Sequence, residues 1–399
     1  MEANNRQLIR MPKINFEVNE NDFAPVDISK LNRQDQVVGK PSKYIVDILK
    51  RFISNRWAVV FLVIFLLVIL LAILTPPISY SLNGFSPIKA ITDQVDTSVV
   101  INLPARTLGT NPSVTIYNAT PSMIQTYETY GLITGTSNIT PVVAGVAYKI
   151  TYFPYEYTLQ DGTQPLINVY PILGTDGNGI DIWTRLWAAT ETSLGLAFWV
   201  SILSILIGVV YGAVAGTFAG KWPDTIMMRF VEIVGGVPTI IWLLVLGAVL
   251  TASPEGTSSL SNSVVGFSLV FVLWFSPAIT TRTYIMRNKD VEYVQATRTL
   301  GGSQSRIIFL HMIPVIAGRI SVIFVNLIPT VIFFESSLVF LGLKPTSELG
   351  LGLLLYDAYT VSNVAQLVSP IVVFAAFTIS AQIIANALND AIDPRVVGR

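Results

Sequence analysis

Residues Trp57–Leu74 (WAVVFLVIFLLVILLAIL) carry no polar side chain apart from the indole of Trp57. Hydrocarbon offers the backbone no hydrogen-bond partner, so such a run is stable there only as a helix, and about 20 residues cross the bilayer core. Five more apolar segments of similar length follow, at Leu196–Phe218, Ile226–Leu250, Val264–Thr280, Val315–Phe334 and Pro370–Leu388. Pro277 and Pro329 interrupt two of them, which spanning helices tolerate when neighbours satisfy the freed carbonyl. Only 13% of the 399 residues are charged, against about 25% in soluble domains. The expected fold is an all-α integral membrane protein with six transmembrane helices.

Lys and Arg placement orients the spans. Ten precede the first span, and with six spans Lys221–Arg229, Arg282–Arg306 and the C-terminal tail share their side. The other side receives only Lys89, Arg106, Lys149, Arg185 and Lys344. Both termini are therefore expected in the cytoplasm. Residues 1–42 read as a cytoplasmic extension, and no cleavable signal peptide is evident before the first apolar run. Residues 43–56 read as an interfacial amphipathic helix, with Ile45, Ile48, Leu49, Phe52 and Ile53 opposite Lys43, Lys50 and Arg51. The first span is assigned to 57–74. Residues 75–192 read as a small β-rich extracytoplasmic insertion domain, on alternating runs such as Val142–Tyr152. A core with five further spans and a polar loop at 282–314 is assigned to 193–388, and a cytoplasmic tail to 389–399.

Within that core, the polar segment Arg287–Pro314 (RNKDVEYVQATRTLGGSQSRIIFLHMIP) lies between two spans. Arg287, Lys289, Arg298 and Arg306 place it outside the bilayer. Asp290, Glu292 and Gln295 open a helix-like stretch that Gly301-Gly302 stops. A short helix outside the membrane, joined to spanning helices, can serve as a docking lever for a soluble partner.

Other features limit the chemistry. The chain has no cysteine and a single histidine, His311, so no metal site is expected. No cofactor site and no nucleophile–base pair can be assembled, and no basic stripe suggests nucleic acid. GTFAGK at Gly216–Lys221 fails as a phosphate loop, having three residues between its glycines and Trp222 after the lysine. Gly208, Gly212, Gly216 and Gly220 recur every four residues and read as a helix-packing face. Glu232 and Glu335, near span ends, are candidates for the pathway or an interface. Arg319, one turn into the fifth span, is expected to snorkel to the surface.

The polar loop resembles the coupling loop of ABC-transporter permeases. Glu292, Tyr293, Ala296, Leu300, Gly301, His311 and Pro314 match that pattern, and Thr297 replaces its second alanine. Asn55-Arg56, Leu173–Asp176 with Gly179 and Asp181, Ala215–Arg229, Glu335–Leu343 and Asn389–Arg395 match in the same order. Over Ser54–Pro76 and Leu173–Arg395 the chain is similar to the C-type permeases of dipeptide/oligopeptide ABC importers. Glu232 stands where that family commonly has Asp, and the external insertion is longer than in typical relatives.

The resemblance implies a type I importer permease fold, and a subunit that is not itself an enzyme. It further implies a homologous second permease, two ATP-binding-cassette ATPase subunits docked under the coupling loops, and an extracytoplasmic solute-binding protein. Oligopeptides are the expected cargo, with oligosaccharides the alternative. An ATP-independent secondary transporter is disfavoured by the absence of a repeat and the scarcity of mid-span charge. A membrane scaffold would leave the coupling loop without a role.

Overall fold

The computed structural model describes residues 44–91, 102–106, 112–129, 133, 139–143, 147–153, 171–250, 261–342, 348–361 and 364–392. The expected N-terminal extension and the tail beyond 392 fall outside them. Helix α1 (Tyr44–Ser54) leads into α2 (Arg56–Asn83), whose first turn is capped by Asn55 Oδ1 accepting from Trp57 and Ala58 N–H. The apolar stripe expected on α1 is divided. Phe52 and Ile48 pack with Ala58, Ile384 and Ala387, while Leu49 and Ile53 stay exposed.

The first span is longer than expected. Helix α2 continues through Pro76 and Pro77 into the segment assigned to the insertion, and ends at Gly84 (φ +70°). Gly84 N–H bonds to Tyr80 and Phe85 N–H to Ser79, the left-handed glycine cap that ends many helices. Beyond it, β1 (Val114–Ala119), α3 (Pro121–Thr129), β2 (Ile139–Val143) and β3 (Ala147–Tyr152) form a small α/β unit. The sheet is antiparallel in order β1-β3-β2, with Ile150 opposite both Ile116 and Ile139. The alternating run Val142–Tyr152 covers the end of β2 and the whole of β3. Phe85, Leu103, Tyr127, Ile150 and Tyr152 make its core.

Helix α4 (Ile182–Thr217) also starts earlier than expected, because Asp181 caps it by accepting from Thr184 N–H at 2.8 Å. The third expected span is broken. Helices α5 (Trp222–Gly235) and α6 (Thr239–Leu250) meet at an 87° bend. Gly236 N–H still closes α5 on Glu232 O, Pro238 has no N–H to continue the helix, and the Val234 carbonyl accepts from Val237 N–H at 3.4 Å and from Trp242 Nε1–H at 2.9 Å. Helices α7 (Asn262–Leu273) and α8 (Phe275–Asn288) join at Trp274 into one apolar rod.

A short helix, α9 (Glu292–Thr299), precedes α10 (Gln304–Phe340), in which Ile307–Met312 is wound as π-helix. Helices α11 (Leu351–Val361), absent from the sequence reading, and α12 (Val364–Ile392) complete the chain. Arg319 does not run to the surface alone. Its guanidinium donates to Asn389 Oδ1, joining α10 to α12.

Five helices among the described residues are long and apolar enough to cross a membrane, and the bent α5/α6 pair makes a sixth. Leu186, Ala197 and Val200 of α4, Leu269 of α7, Ile328 and Ile332 of α10, and Phe377 of α12 form the main core. Leu66, Leu67, Leu70 and Ile73 of α2 point outward, as lipid-facing side chains do.

Candidate functional site

The polar loop is compact and built around α9. Val294 is the one side chain of α9 that is fully buried, set among Ile285, Ile307, Ile308, Met312 and Ile316. Around that anchor the helix is closed locally. Gln295 Nε2–H donates to Asp290 O at 2.9 Å, Thr297 Oγ1–H to Tyr293 O at 2.7 Å and Thr299 Oγ1–H to Ala296 O at 2.8 Å. Gly301 adopts φ +79°, and Gly302 N–H returns to Thr297 O at 3.0 Å. A Cβ on Gly302 would sit 2.8 Å from Thr297 Cγ2, whereas Gly301 has open space around it and is favoured by its left-handed φ alone.

Glu292, at the first position of α9, is exposed, as are Tyr293, Ala296 and Gly301; Thr297 is half-buried. Leu300 is 88% exposed and Tyr293 36%. Partial desolvation raises the Tyr293 phenol above 10.0, so it remains neutral and able to donate. His311 lies half-buried in the π segment, and Pro314 is exposed where α-helical winding resumes. An eight-residue helix thus hangs on one buried valine, with an apolar tip facing outward.

This loop is tied to the bundle through α8. Ideal Cβ atoms on Gly208, Gly212 and Gly216 would come within 2.6 Å of Pro277 Cβ, 2.2 Å of Ala278 O and 2.9 Å of Ile285 Cβ. Helix α8 therefore lies directly on the α4 backbone, the close approach that small residues permit. Gly220 differs from the other three. It lies beyond α4 at φ +82° with open space around it, and its N–H donates to Asp224 Oδ2 at 3.1 Å. Asp224, 3% exposed, receives Arg282 of α8 on both oxygens. Arg282 is thus helical and paired, and not part of a loop.

Glu232 and Glu335 are not brought together. Glu232 is exposed on α5 and pairs with Arg229 at 2.8 Å. Glu335 is fully buried near the far end of α10. That far end holds a second polar cluster. Arg185 of α4 donates to Asp176 at 2.5 Å and to Asp357 of α11 at 2.7 Å. Asp176 also accepts from the N–H groups of Asn178 and Ile180. Burial, with the Asp176 charge adding to it, pushes Asp181 above its ordinary 3.8 despite two bonds from Thr184.

The sequence reading did not single out Val294, Asp224, Arg185 or Asp357 as partners. A lone carboxylate or guanidinium beside an apolar span was the available signal, since such groups need a partner.

The family described as binding-protein-dependent transport system inner membrane component matches residues 172–398. The N-terminal TM domain of oligopeptide transport permease C matches residues 43–104. The chain is 45% identical to the oligopeptide transport system permease protein OppC of Mycoplasma pneumoniae, covering 94% of this chain and 97% of that protein. Identity and coverage are the same for the OppC protein of Mycoplasma genitalium. A chain from inward-facing structures of the MetNI methionine ABC transporter aligns over 52% of this chain and 96% of its own, at 16% identity and a TM-score of 0.41. The chain is thus a multi-pass membrane protein belonging to the family of binding-protein-dependent transport system inner membrane components.

Proposed function

We propose that this chain is the permease subunit of an oligopeptide ABC importer, and that α9 is its coupling helix on the cytoplasmic side. The carrying observation is the exposed tip at Leu300, 88% accessible at the end of a helix held by Val294. A large apolar side chain outside the spans, in a rigid turn, is what a groove on a soluble subunit can grip. The relatives at 45% identity carry oligopeptide transport in their names, which supports the cargo.

In this reading two ATPase subunits dock beneath α9 and its counterpart on a homologous second permease, and a solute-binding protein delivers peptide from the opposite side. The ATPase activity resides in those separate subunits. ATP-driven closure of the ATPases moves α9, and α8 carries the displacement into the bundle. The pathway then alternates between two arrangements of packed helices. The segments 1–42 and 389–399 lie on the ATPase side, and the β1–β3 unit faces the binding protein.

The test is Leu300→Ser in the assembled transporter. Leu300 contributes little to the fold, so the variant is expected to fold normally. It should lose most of its ATPase subunit in a mild-detergent pull-down, and its peptide uptake with it. Gly301→Asp should behave alike, whereas Gly301→Ala bears only the left-handed strain of about 1 kcal/mol. Full ATPase retention and uptake by Leu300→Ser would remove α9 from the docking site.

A further inference from the structure

One face of the bundle holds a groove of about 770 Å³, within the ~300–1,000 Å³ of sites that take small ligands. Its walls come from α5 and α6 on either side of their bend, from the α7/α8 junction and from the middle of α10. Broken backbone at membrane depth is tolerated where it lines a cavity or is buried in protein. Gly235, Gly236 and Thr239 at the bend all face this groove.

The polar groups of the lining are Thr239, Ser276, Thr280, Asn326, Thr330 and Glu232, and no lining residue is cationic. Thr280 and Thr330 hydroxyls donate to carbonyls one turn back in their own helices. The Asn326 carboxamide and the Thr239 and Ser276 hydroxyls make no hydrogen bond to another described residue. An amide in the middle of a spanning helix costs free energy unless something hydrogen-bonds to it. A carboxamide offers both donor and acceptor, the complement of a peptide unit. Glu232 adds the one negative charge. Its partner Arg229 is an exposed i,i+3 neighbour, a pairing of little strength that another cation can replace.

Building on the permease reading above, we propose that this groove is a peptide main-chain site. Asn326, Thr239 and Ser276 hydrogen-bond the amides of an extended peptide, and Glu232 receives its α-ammonium group. Neutral contacts of this kind are indifferent to side-chain identity, which suits a path that passes many sequences. The charge of Glu232 orients the peptide without selecting its residues.

The test uses the complete transporter with its binding protein in proteoliposomes, and tetra-alanine as the probe. Glu232→Gln is expected to lower tetra-alanine uptake per ATP hydrolysed about tenfold. Glu232→Asp keeps the carboxylate and Arg229→Ala breaks the same ion pair from the other side, so both should retain uptake. A loss in all three variants would assign Glu232 a structural role and overturn the proposal, as would a loss in none. The chain has no cysteine, so Asn326→Cys gives it a single thiol. Labelling by a water-soluble maleimide, reduced several-fold by tetra-alanine and ATP, is the expected result. A thiol that stays unlabelled in every nucleotide state would show the groove packed against the second permease, overturning the site alone. Absence of tetra-alanine uptake by the unaltered transporter would overturn the oligopeptide reading as well.

Discussion

Arg282 holds both carboxylate oxygens of Asp224, through Nε at 2.5 Å and Nη2 at 2.7 Å, across 58 residues of sequence. The pair fastens the first turn of α5 to α8, which runs on through Asn288 towards α9. Gly216 brings α4 onto Ile285 of α8 immediately beside it. Helices α9, α8 and α5 therefore form one mechanical unit, and α5 is a wall of the groove that contains Glu232. A displacement of α9 has a short, stiff route to that wall.

That geometry makes the pair costly to break. A fork of two hydrogen bonds onto a carboxylate 3% exposed leaves an uncompensated buried charge when one partner is removed, typically about 3–5 kcal/mol. Arg282→Met is expected to lower thermal stability in detergent by an amount in that range. The double variant Asp224→Arg with Arg282→Asp should recover part of it and part of the coupling between ATP hydrolysis and uptake. Equal stability of Arg282→Met and the unaltered protein would show the pair to be incidental.

The glycines of α4 separate packing from helix propensity. Gly212→Ala would place a methyl 2.2 Å from Ala278 O, forcing α8 away at a cost of about 1–3 kcal/mol. Gly195, in the same helix, has nothing within 4 Å, so Gly195→Ala is expected to be neutral or to stabilise by up to about 1 kcal/mol. Thermal unfolding of the two variants side by side checks this. The α4–α8 contact is loose if both behave alike.

The spans were legible because runs such as Trp57–Leu74 admit one solution in hydrocarbon. Their ends were not, because caps decide them. Pro76 and Pro77 look like terminators, yet the helix stops at Gly84, where a left-handed residue can close it. Asp181 begins α4 inside the segment whose alternating runs suggested strands. The break between α5 and α6 did have a sequence signal in Gly235-Gly236-Val237-Pro238, hidden by the hydropathy of its flanks. The exposed residues of α9 could be read from their resemblance to a coupling loop. Val294 could not, since one apolar residue in a polar helix does not announce what it packs against. Pairings such as Arg282 with Asp224 need the fold, because each charge signals only that it requires some partner.

Asp181 gives a pH dependence of unusual sign. Its Oδ1 is buried without a hydrogen-bond partner among the described residues, and burial raises its pKa above the ordinary 3.8. The folded state therefore holds this proton more tightly than the unfolded chain. The stabilisation linked to it is full below the ordinary value and is lost as pH rises through the raised folded value. Acidification from neutrality towards pH 4 thus relieves a cost at this residue. Asp181→Asn keeps an oxygen for Thr184 and removes the titration. Its melting temperature is expected to match or exceed that of the unaltered protein at pH 7.5, and to fall more steeply as the pH is lowered from neutrality towards 4. Parallel profiles for the two proteins would refute the assignment.

The cluster at the opposite end from α9 should respond asymmetrically to loss of its members. Arg185 bridges Asp176, whose side chain is 1% exposed, and Asp357, at 24%. Removing the guanidinium with Arg185→Met strands the Asp176 charge in a buried site, an expected loss of about 3–5 kcal/mol. Asp357→Asn keeps an acceptor for Arg185 in a wetter position, and should cost no more than about 1 kcal/mol. Asp176→Asn keeps one oxygen for the Asn178 and Ile180 N–H groups but weakens the bond to Arg185, and should fall between the two. The order Arg185→Met, Asp176→Asn, Asp357→Asn in melting temperature, lowest first, is the signature of a bridge whose strength lies on its buried arm. If Asp357→Asn were the most damaging, the junction of α4 with α11 would depend on the exposed arm instead.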